Sequence, residues 1–258
     1  MLPRVSRSRL PVIAGAAAAA ISLAVLPGCG GGAHHAAALT PVPAPTTTEA
    51  PTTSTTAPAP LATVAQSDVA NLAVYAQPGD PTPAQHLSNP RPLGGPLVLL
   101  VTDQRPGWVQ ALLPVRPNGS RGWVAAGDVT LSSHPYRIVV ELGAHRMTVY
   151  DGYAKVAVDS IGVGTQATPT PGGLYYTEDF VQLDDPNGPY GAYAYGLSGF
   201  SEVLTSFGGG PGQLAIHGTN EPDKLGSDVS HGCIRLSNPD IIKLAGILPL
   251  GVPVQVVA

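Results

Sequence analysis

A segment rich in proline, threonine and alanine, from about residue 30 to residue 60, limits where this chain can fold. It includes the run TPVPAPTTTEAPTTSTTAPAP and has hardly any large apolar side chain. Such a segment cannot bury enough apolar surface to offset the entropy lost on ordering, and its prolines keep the chain extended. We therefore predict a disordered linker at residues 29–61, in which His34 and His35 are a solvated pair and not a metal pair, and a folded part from residue 62 onwards.

The N-terminus has the layout of an export signal. Three arginines within the first nine residues precede an apolar, alanine-rich run over residues 10–26. This run is shorter than the about 20 residues of a membrane-spanning helix, and Pro11 interrupts it. We predict a signal peptide at residues 1–28 and a location outside the cytoplasm, in the cell envelope. The net charge of -4, without a basic stripe, argues against a nucleic-acid partner.

The apolar run ends in Leu26-Pro27-Gly28-Cys29, which resembles the lipobox of bacterial lipoproteins. Pro27 departs from the small residue that is usual there. The resemblance implies that Cys29 is acylated and that a lipid anchors the protein to the membrane, with an affinity that grows by about 0.8 kcal/mol per buried CH2 group. The alternative is an ordinary secretory signal that is cleaved nearby.

Residues 62–133 contain short apolar and alternating runs that are split by turn signals such as RPG and RPNGSRG. The two tryptophans, Trp108 and Trp123, each follow a glycine in a Gly-Trp-Val triplet. This pattern resembles the small extracellular β-barrels related to Src-homology type domains. The alternative is that the two rings simply fill a small core. In both cases we predict a small β-barrel-like accessory module without chemistry of its own.

Residues 134–258 carry stronger strand signals. Three segments either alternate apolar and polar residues or are continuously apolar, and short turns join them: YRIVVEL, HRMTVY and KVAVDSIGVG. This pattern predicts an antiparallel meander. GQLAIHG predicts a strand that ends at His217, SNPDIIKLAG a short helix capped by Ser237 or Asn238, and GVPVQVVA a final strand. The Gly-, Pro- and Tyr-rich segment between residues 184 and 207 is a candidate lid. The fold class is therefore mainly β.

Cys233, in DVSHGCIRLSN, has four possible roles. It can form a disulfide with Cys29, bind zinc together with His217 and His231, be an inert buried side chain, or be a nucleophile. Its Ser, His, Gly and Arg neighbours, and the small Gly232 directly before it, favour the nucleophile. A thiol needs a histidine within hydrogen-bond reach to become an effective nucleophile, and His217 is the candidate.

The sequence IHGTN, followed after a gap by SHGCIRLSN, is similar to the signature of the L,D-transpeptidase (YkuD-like) catalytic domain. The TPTPGG turn, the YGAYAYGLSGFSE lid and the terminal helix and strand also resemble that family, so the resemblance covers roughly residues 135–258. It implies a β-sandwich of the L,D-transpeptidase type with a short helix, no cofactor and no bound metal.

The resemblance also implies a role for each matching residue. Cys233 is the nucleophile, His217 is its base, and the carbonyl of Gly218 orients the imidazole of His217. The backbone N–H groups of His231, Gly232 and Cys233 form an oxyanion hole. The residues expected to contact substrate are Ser230, His231, Arg235, Thr219, Tyr190 and Tyr195. For Arg235 the choice stays open between pairing with a substrate carboxylate and acting as a structural strut.

The implied reaction is an acyl transfer between peptidoglycan stem peptides. The thiolate attacks the carbonyl of the third residue of a tetrapeptide stem and D-alanine leaves. A side-chain amine of an acceptor stem then resolves the thioester and forms a 3-to-3 cross-link, in a monomeric enzyme that carbapenems acylate. The alternatives are an L,D-carboxypeptidase, an enzyme that attaches an envelope protein to peptidoglycan, and, in another class, an inactive peptidoglycan-binding lipoprotein. A papain-like hydrolase does not fit, because no histidine follows Cys233.

Overall fold

Short alternating runs of apolar residues form the first sheet of the protein. The computed structural model describes residues 61–258, so the predicted signal peptide, Cys29 and nearly all of the predicted linker lie outside the described residues. The first seven strands are β1 (Ala62–Ser67), β2 (Asn71–Val74), β3 (Gln85–Ser88), β4 (Val98–Arg105), β5 (Trp108–Leu112), β6 (Arg121–Ala125) and β7 (Val129–His134). Five of them form an antiparallel sheet in the order β6-β5-β4-β1-β7, and β2 pairs with β3.

The two tryptophans have different environments in this first sheet. Trp123 is buried, as expected of a ring that fills a small core. Trp108 is half-buried, and its ring contacts that of Tyr75 edge-on with 5.2 Å between the centroids. Leucines at positions such as 72, 97 and 99 and valines at positions such as 74, 109 and 124 supply most of the remaining core.

The second sheet contains the meander predicted from the sequence. Its elements are β8 (Tyr136–Glu141), β9 (Arg146–Asp151), β10 (Ala154–Ser160), β12 (Gly173–Gln182), β13 (Tyr193–Phe200), β14 (Gln213–His217), β16 (Ile234–Arg235) and β17 (Pro253–Val257), while β11 (Val163–Gly164) and β15 (Asp228–Ser230) pair separately. The order is β10-β9-β8-β17-β12-β13-β14-β16. The meander β8-β9-β10 is antiparallel as predicted, and the mainly β fold class is confirmed. The last strand, β17, lies between β8 and β12, which no local pattern specifies.

The single α-helix of the described residues, α1 (Asn238–Ala245), begins where the sequence predicts it. The side chain of Ser237 accepts a hydrogen bond from the N–H of Asp240, which satisfies one of the free donors of the first turn. Gly246 follows the helix, and Ile241 and Leu244 are buried in the core of the second sheet. No helix within residues 61–258 has the length and apolar character needed to cross a membrane.

The segment predicted as a lid is partly a strand. Its middle forms β13, whose small residues permit close packing: a Cβ added to Gly199 would lie 2.3 Å from the ring of Tyr175. Two irregular pieces remain on either side of β13, and we name them the Tyr190 loop (residues 183–192) and the Phe207 loop (residues 201–212). The composition of the segment concealed the strand because glycine and proline are typical of loops.

The two sheets belong to one compact unit and share an interface. Leu250 packs against the cores of both sheets, and Tyr176 of β12 is buried in the first core. Arg91, from the part of the chain that carries the first sheet, forms an ion pair with the fully buried Glu178 of β12. Glu178 in turn accepts a hydrogen bond from Gln213 of β14 at 3.2 Å. Polar contacts therefore connect the first sheet to the strand that carries His217.

Candidate active site

Two adjacent parallel strands bring Cys233 and His217 to the same face of the second sheet. The register of β14 and β16 pairs Ile216 with Ile234 and His217 with Arg235. Cys233, one residue before β16, is next to Ala215, whose backbone N–H donates a hydrogen bond to the sulfur. Because side chains alternate between the faces of a strand, residues 215, 217, 233 and 235 share one face.

A cavity of about 200 Å3 lies over this face. Six of the predicted site residues line it: Tyr190, His217, Ser230, His231, Cys233 and Arg235. Further lining residues that the sequence did not indicate are Pro189, Ser201, Leu204, Phe207, Gly212, Gln213 and Leu214. Most of these belong to the Phe207 loop, whose run of three glycines predicts a turn but does not indicate what the neighbouring Phe207 contacts.

His217 is buried, and its tautomer follows from one contact. Its Nδ1 lies 2.6 Å from the carbonyl oxygen of Gly218. A carbonyl oxygen only accepts hydrogen bonds, so Nδ1 carries the proton and Nε2 is the basic nitrogen of the neutral ring. Burial lowers the pKa of His217 from its ordinary value of 6.5 to about 4; the bond to Gly218 opposes this shift and the charge of Arg235 adds to it. His217 is therefore a neutral imidazole at neutral pH.

Gly218 is a glycine for a steric reason. A Cβ at this position would lie 2.2 Å from Oδ1 of Asn238 and 3.0 Å from Cα of Gly191. The amide of Asn238 is itself held in place, since Oδ1 accepts from the N–H of Thr219 at 3.2 Å and Nδ2 donates to the carbonyl of Pro186 at 2.9 Å. The carbonyl that orients His217 thus belongs to a tightly packed junction of β14, α1 and the Tyr190 loop.

Cys233 is half-buried and carries a free thiol. Burial raises the pKa of the thiol, while the N–H of Ala215 and the positive charge of Arg235 act in the opposite direction. With the pKa of His217 lowered and that of Cys233 raised, the pair is a neutral thiol and a neutral imidazole.

Ser230 holds the turn that presents Cys233. Its buried Oγ donates to the carbonyl of Cys233 at 2.6 Å and accepts from the N–H of Gly232 at 3.0 Å. In this structure the N–H of Gly232 is bonded within the turn, so that bond has to break before Gly232 can donate to an oxyanion as predicted. The N–H groups of His231 and Cys233 stay as the predicted donors. Thr170, from the TPTPGG turn, supports the same segment by donating to the carbonyl of Gly232 at 2.9 Å.

Arg235 is connected to Glu221. Its Nη1 donates to Oε2 of Glu221 at 3.1 Å, and the side chain is 17% exposed. Its Nε is buried and has no hydrogen-bond partner within the described residues. Arg235 thus serves as a strut to Glu221 while it also lines the cavity.

Two predicted substrate contacts are wrong. Tyr195 is buried in the core, where its hydroxyl donates to the carbonyls of Leu244 at 3.3 Å and Leu248 at 3.0 Å. Thr219 is also buried and lies outside the cavity, and its Oγ1 accepts from the N–H of Glu221 at 3.1 Å. Both side chains stabilise the fold because their polar atoms are satisfied by backbone groups.

Aromatic rings flank the two histidines. The ring of Tyr190 lies 4.9 Å from that of His217, and the ring of Phe207 lies 5.2 Å from that of His231. Within residues 61–258 no three His, Cys, Asp or Glu side chains are grouped so as to hold a metal ion.

The chain is similar to known L,D-transpeptidases. The model of the L,D-transpeptidase catalytic domain, YkuD, matches residues 135–256. The putative L,D-transpeptidase YkuD of Bacillus licheniformis is 34% identical over 154 residues, which cover 57% of this chain and 85% of the relative. The protein of the same name from Bacillus subtilis is 34% identical over 152 residues, covering 57% of this chain and 84% of the relative.

Solved structures of L,D-transpeptidases also match. The match to L,D-transpeptidase 3 from Mycobacterium tuberculosis covers 63% of this chain and 92% of that one, with 18% identity and a TM-score of 0.42. The match to an L,D-transpeptidase from Mycobacterium smegmatis covers 63% of this chain and 90% of that one, with 18% identity and a TM-score of 0.39. The curated relatives and the matched catalytic domain place this chain in the YkuD family of L,D-transpeptidases.

Proposed function

We propose that this protein forms 3-to-3 cross-links between peptidoglycan stem peptides through a thioester on Cys233. Membership of the family supports a peptidoglycan-modifying transpeptidase that acts on stem peptides. The observation that carries the finer proposal is that Cys233 and a neutral, tautomer-fixed His217 line one cavity from adjacent strands.

The first step is the formation of the acyl-enzyme. The sulfur of Cys233 attacks the carbonyl carbon of the third stem residue while Nε2 of His217 takes the thiol proton. The carbonyl oxygen becomes an oxyanion that accepts hydrogen bonds from the N–H groups of His231 and Cys233. Loss of one such donor typically lowers a rate by about 10²- to 10³-fold.

The second step expels D-alanine. The bond between the carbonyl carbon and the nitrogen of D-alanine breaks, and the imidazolium of His217 gives its proton to the departing amine. Because burial lowers the pKa of His217 to about 4, its protonated form is a stronger acid than an ordinary imidazolium. The same burial that makes the resting ring neutral therefore favours protonation of the leaving group.

The third step transfers the acyl group. A side-chain amine of the acceptor stem attacks the thioester, His217 takes a proton from the amine, and the sulfur leaves and is reprotonated. Leu204, Phe207 and Leu214 give the cavity apolar side chains, which we expect to limit the access of water to the thioester. This favours an amine on a bound stem over water as acceptor, and therefore a transpeptidase over an L,D-carboxypeptidase. Acylation of Cys233 by a carbapenem belongs to the same proposal.

The setting of the enzyme is part of the proposal. Residues 62–133 are an accessory module and residues 134–258 the catalytic domain of a monomer. A signal peptide at residues 1–28 directs export, and acylated Cys29 with the linker at residues 29–61 anchors the enzyme outside the cytoplasm. Incorporation of labelled palmitate in a bacterial host, and its loss in Cys29→Ala, tests the anchor.

Product analysis tests the reaction. The protein is incubated with a disaccharide-tetrapeptide, and the products are separated and weighed by mass spectrometry. We expect free D-alanine and a 3-to-3 linked dimer from the wild type, and neither from Cys233→Ala. Tripeptide without dimer would show that water is the acceptor, and no release of D-alanine at all would contradict the proposal.

A further inference from the structure

Arg116, in the connection between β5 and β6 of the first sheet, contacts the Phe207 loop of the catalytic site. Its Nη1 donates to the carbonyl of Ser201 at 2.7 Å. Its Nη2 donates to the carbonyls of Leu204 at 3.1 Å and Pro211 at 3.0 Å. One planar guanidinium thus joins the beginning and the end of the loop, an arrangement that needs the several fixed donors of arginine.

Asn118, two residues later, holds the strand from which the loop emerges. Its Nδ2 donates to the carbonyl of Phe200 at 2.8 Å, and its Oδ1 accepts from the N–H of Phe200 at 2.9 Å. The guanidinium of Arg116 also lies over the ring of Phe200, at 5.0 Å from the centroid. Five hydrogen bonds therefore run from two residues of the first sheet's β5–β6 connection to the base of the Phe207 loop.

The tip of the Phe207 loop is a glycine turn closed by two backbone hydrogen bonds, from the N–H of Phe207 to the carbonyl of Gly210 at 3.0 Å and from the N–H of Gly210 to the carbonyl of Phe207 at 2.9 Å. Phe207 is followed by three glycines, and Gly208 and Gly209 have positive φ angles of 57° and 85°. Glycines lose more conformational freedom on ordering than other residues. Yet this tip carries a side chain of the cavity, since Phe207 lines it and contacts the ring of His231. The turn itself is closed locally, and the contacts at the base of the loop hold it against the first sheet.

We propose that Arg116 is a positioning residue of the active site, and that the accessory module builds one wall of the substrate cavity. Arg116 touches no reacting atom. It acts through the Phe207 loop, which it holds so that Leu204 and Phe207 line the same cavity as Tyr190. The role in substrate binding rests on the proposed function, whereas the ordering of the loop does not.

Hydrogen exchange of the full chain, followed by mass spectrometry, tests the ordering of the loop. Arg116→Ala, Arg116→Lys and the matched control Arg121→Ala, an exposed arginine of the same sheet, are compared with the wild type. We expect peptides within residues 201–212 to exchange about 10-fold faster in Arg116→Ala, since local opening depends on the contacts that are lost. Arg116→Lys keeps the positive charge but not the three hydrogen bonds, so its exchange rate should lie between those of Arg116→Ala and the wild type. Arg121→Ala should exchange at the wild-type rate.

Acylation kinetics test the role in catalysis. Formation of acyl-enzyme from the tetrapeptide is followed by intact mass at several substrate concentrations. A displaced wall weakens substrate binding, so we expect the second-order rate constant of acylation to fall about 10-fold in Arg116→Ala. The fall should come from a higher half-saturating concentration of tetrapeptide, while the rate at saturation changes little. General destabilisation would instead lower the melting temperature and the saturated rate together, and that result would contradict a positioning role.

A third readout separates the failure of this inference from the failure of the proposed function. Alkylation of Cys233 by iodoacetamide needs no transpeptidase activity, and a loosened wall should make it faster in Arg116→Ala than in Arg121→Ala. If the wild type forms no acyl-enzyme, the proposed function fails. The rates of hydrogen exchange and of alkylation then decide by themselves whether Arg116 orders the Phe207 loop. Unchanged exchange at residues 201–212 in Arg116→Ala would overturn the inference in either case.

Discussion

The floor and the rim of the cavity are built in different ways. The floor consists of β14 and residues 230–235, which adjacent strands hold in register within the core of the second sheet. The rim consists of the Tyr190 loop and the Phe207 loop, which are irregular and glycine-rich. Asn238 of the second sheet's own helix bonds to the first loop, whereas Arg116 of the first sheet bonds to the second loop.

The floor therefore carries the residues that we propose react, and the rim carries the residues that we propose bind the substrate. Cys233 and His217, the proposed nucleophile and base, lie where the pairing of adjacent strands fixes their positions. The loops that surround the cavity depend on contacts between residues 52 to 95 positions apart. We therefore expect substitutions of the floor to change the rate of the chemical step and substitutions of the rim to change substrate binding.

The two histidines give the largest expected contrast. His217→Gln removes the buried base of the floor, and general acid–base catalysis of this kind typically contributes about 10²- to 10⁴-fold to a rate. His231→Gln changes an exposed ring of the turn and keeps its backbone N–H, so we expect less than about 10-fold. Both are measured as saturated rates of acyl-enzyme formation, with melting temperatures as controls. Equal losses of rate in the two variants would contradict the assignment of His217, and not His231, as the base.

The pH dependence of thiol reactivity gives the next contrast. Because burial raises the pKa of Cys233 and lowers that of His217, the resting thiol stays protonated at neutral pH. The rate of alkylation by iodoacetamide should therefore still be rising beyond about pH 8.5, where an ordinary cysteine is half ionised.

A flat, fast alkylation rate from about pH 5 to about pH 8 would indicate a thiolate paired with an imidazolium, as in papain, where the cysteine has a pKa of about 3 to 4. That profile would contradict the neutral pair. His217→Gln is the matched control, and its alkylation should show nearly the same pH dependence because the neutral ring contributes no charge.

Gly218 connects floor and rim and should give the smallest effect. Gly218→Ala places a methyl group against Asn238, and overpacking of this kind typically costs about 1–3 kcal/mol of unfolding free energy. The substitution Asn238→Ala removes the closest of the contacts, at 2.2 Å, but also two hydrogen bonds, while the contact with Gly191 at 3.0 Å stays. In a double-mutant cycle by denaturant unfolding, the pair should be less destabilised than the sum of the single variants. Additive losses of unfolding free energy would contradict this expectation, because they would show that the methyl group at position 218 is not accommodated through Asn238.

The sequence indicated the floor well because its signals are local. Each of these signals lies within a short stretch of about ten residues: the turns of the meander, the strand that ends at His217, the Ser237 cap and the SHGC turn. The prediction for Tyr195 failed because β13 has the composition of a loop, so its alternation of buried side chains was not recognised. The roles of Phe207 and Arg116 depend on contacts between the sheets, and the use of the Gly232 N–H by Ser230 depends on a single side-chain rotamer.

The identity of the nucleophile is the central claim, and intact-mass spectrometry tests it most directly. The full mature protein is mixed with the tetrapeptide substrate, quenched in acid and weighed, and the modified peptide is then sequenced. We predict an added mass equal to the substrate less D-alanine, located on Cys233 and absent from Cys233→Ala. An adduct that persists in Cys233→Ala, or one that maps to another residue, would contradict the account.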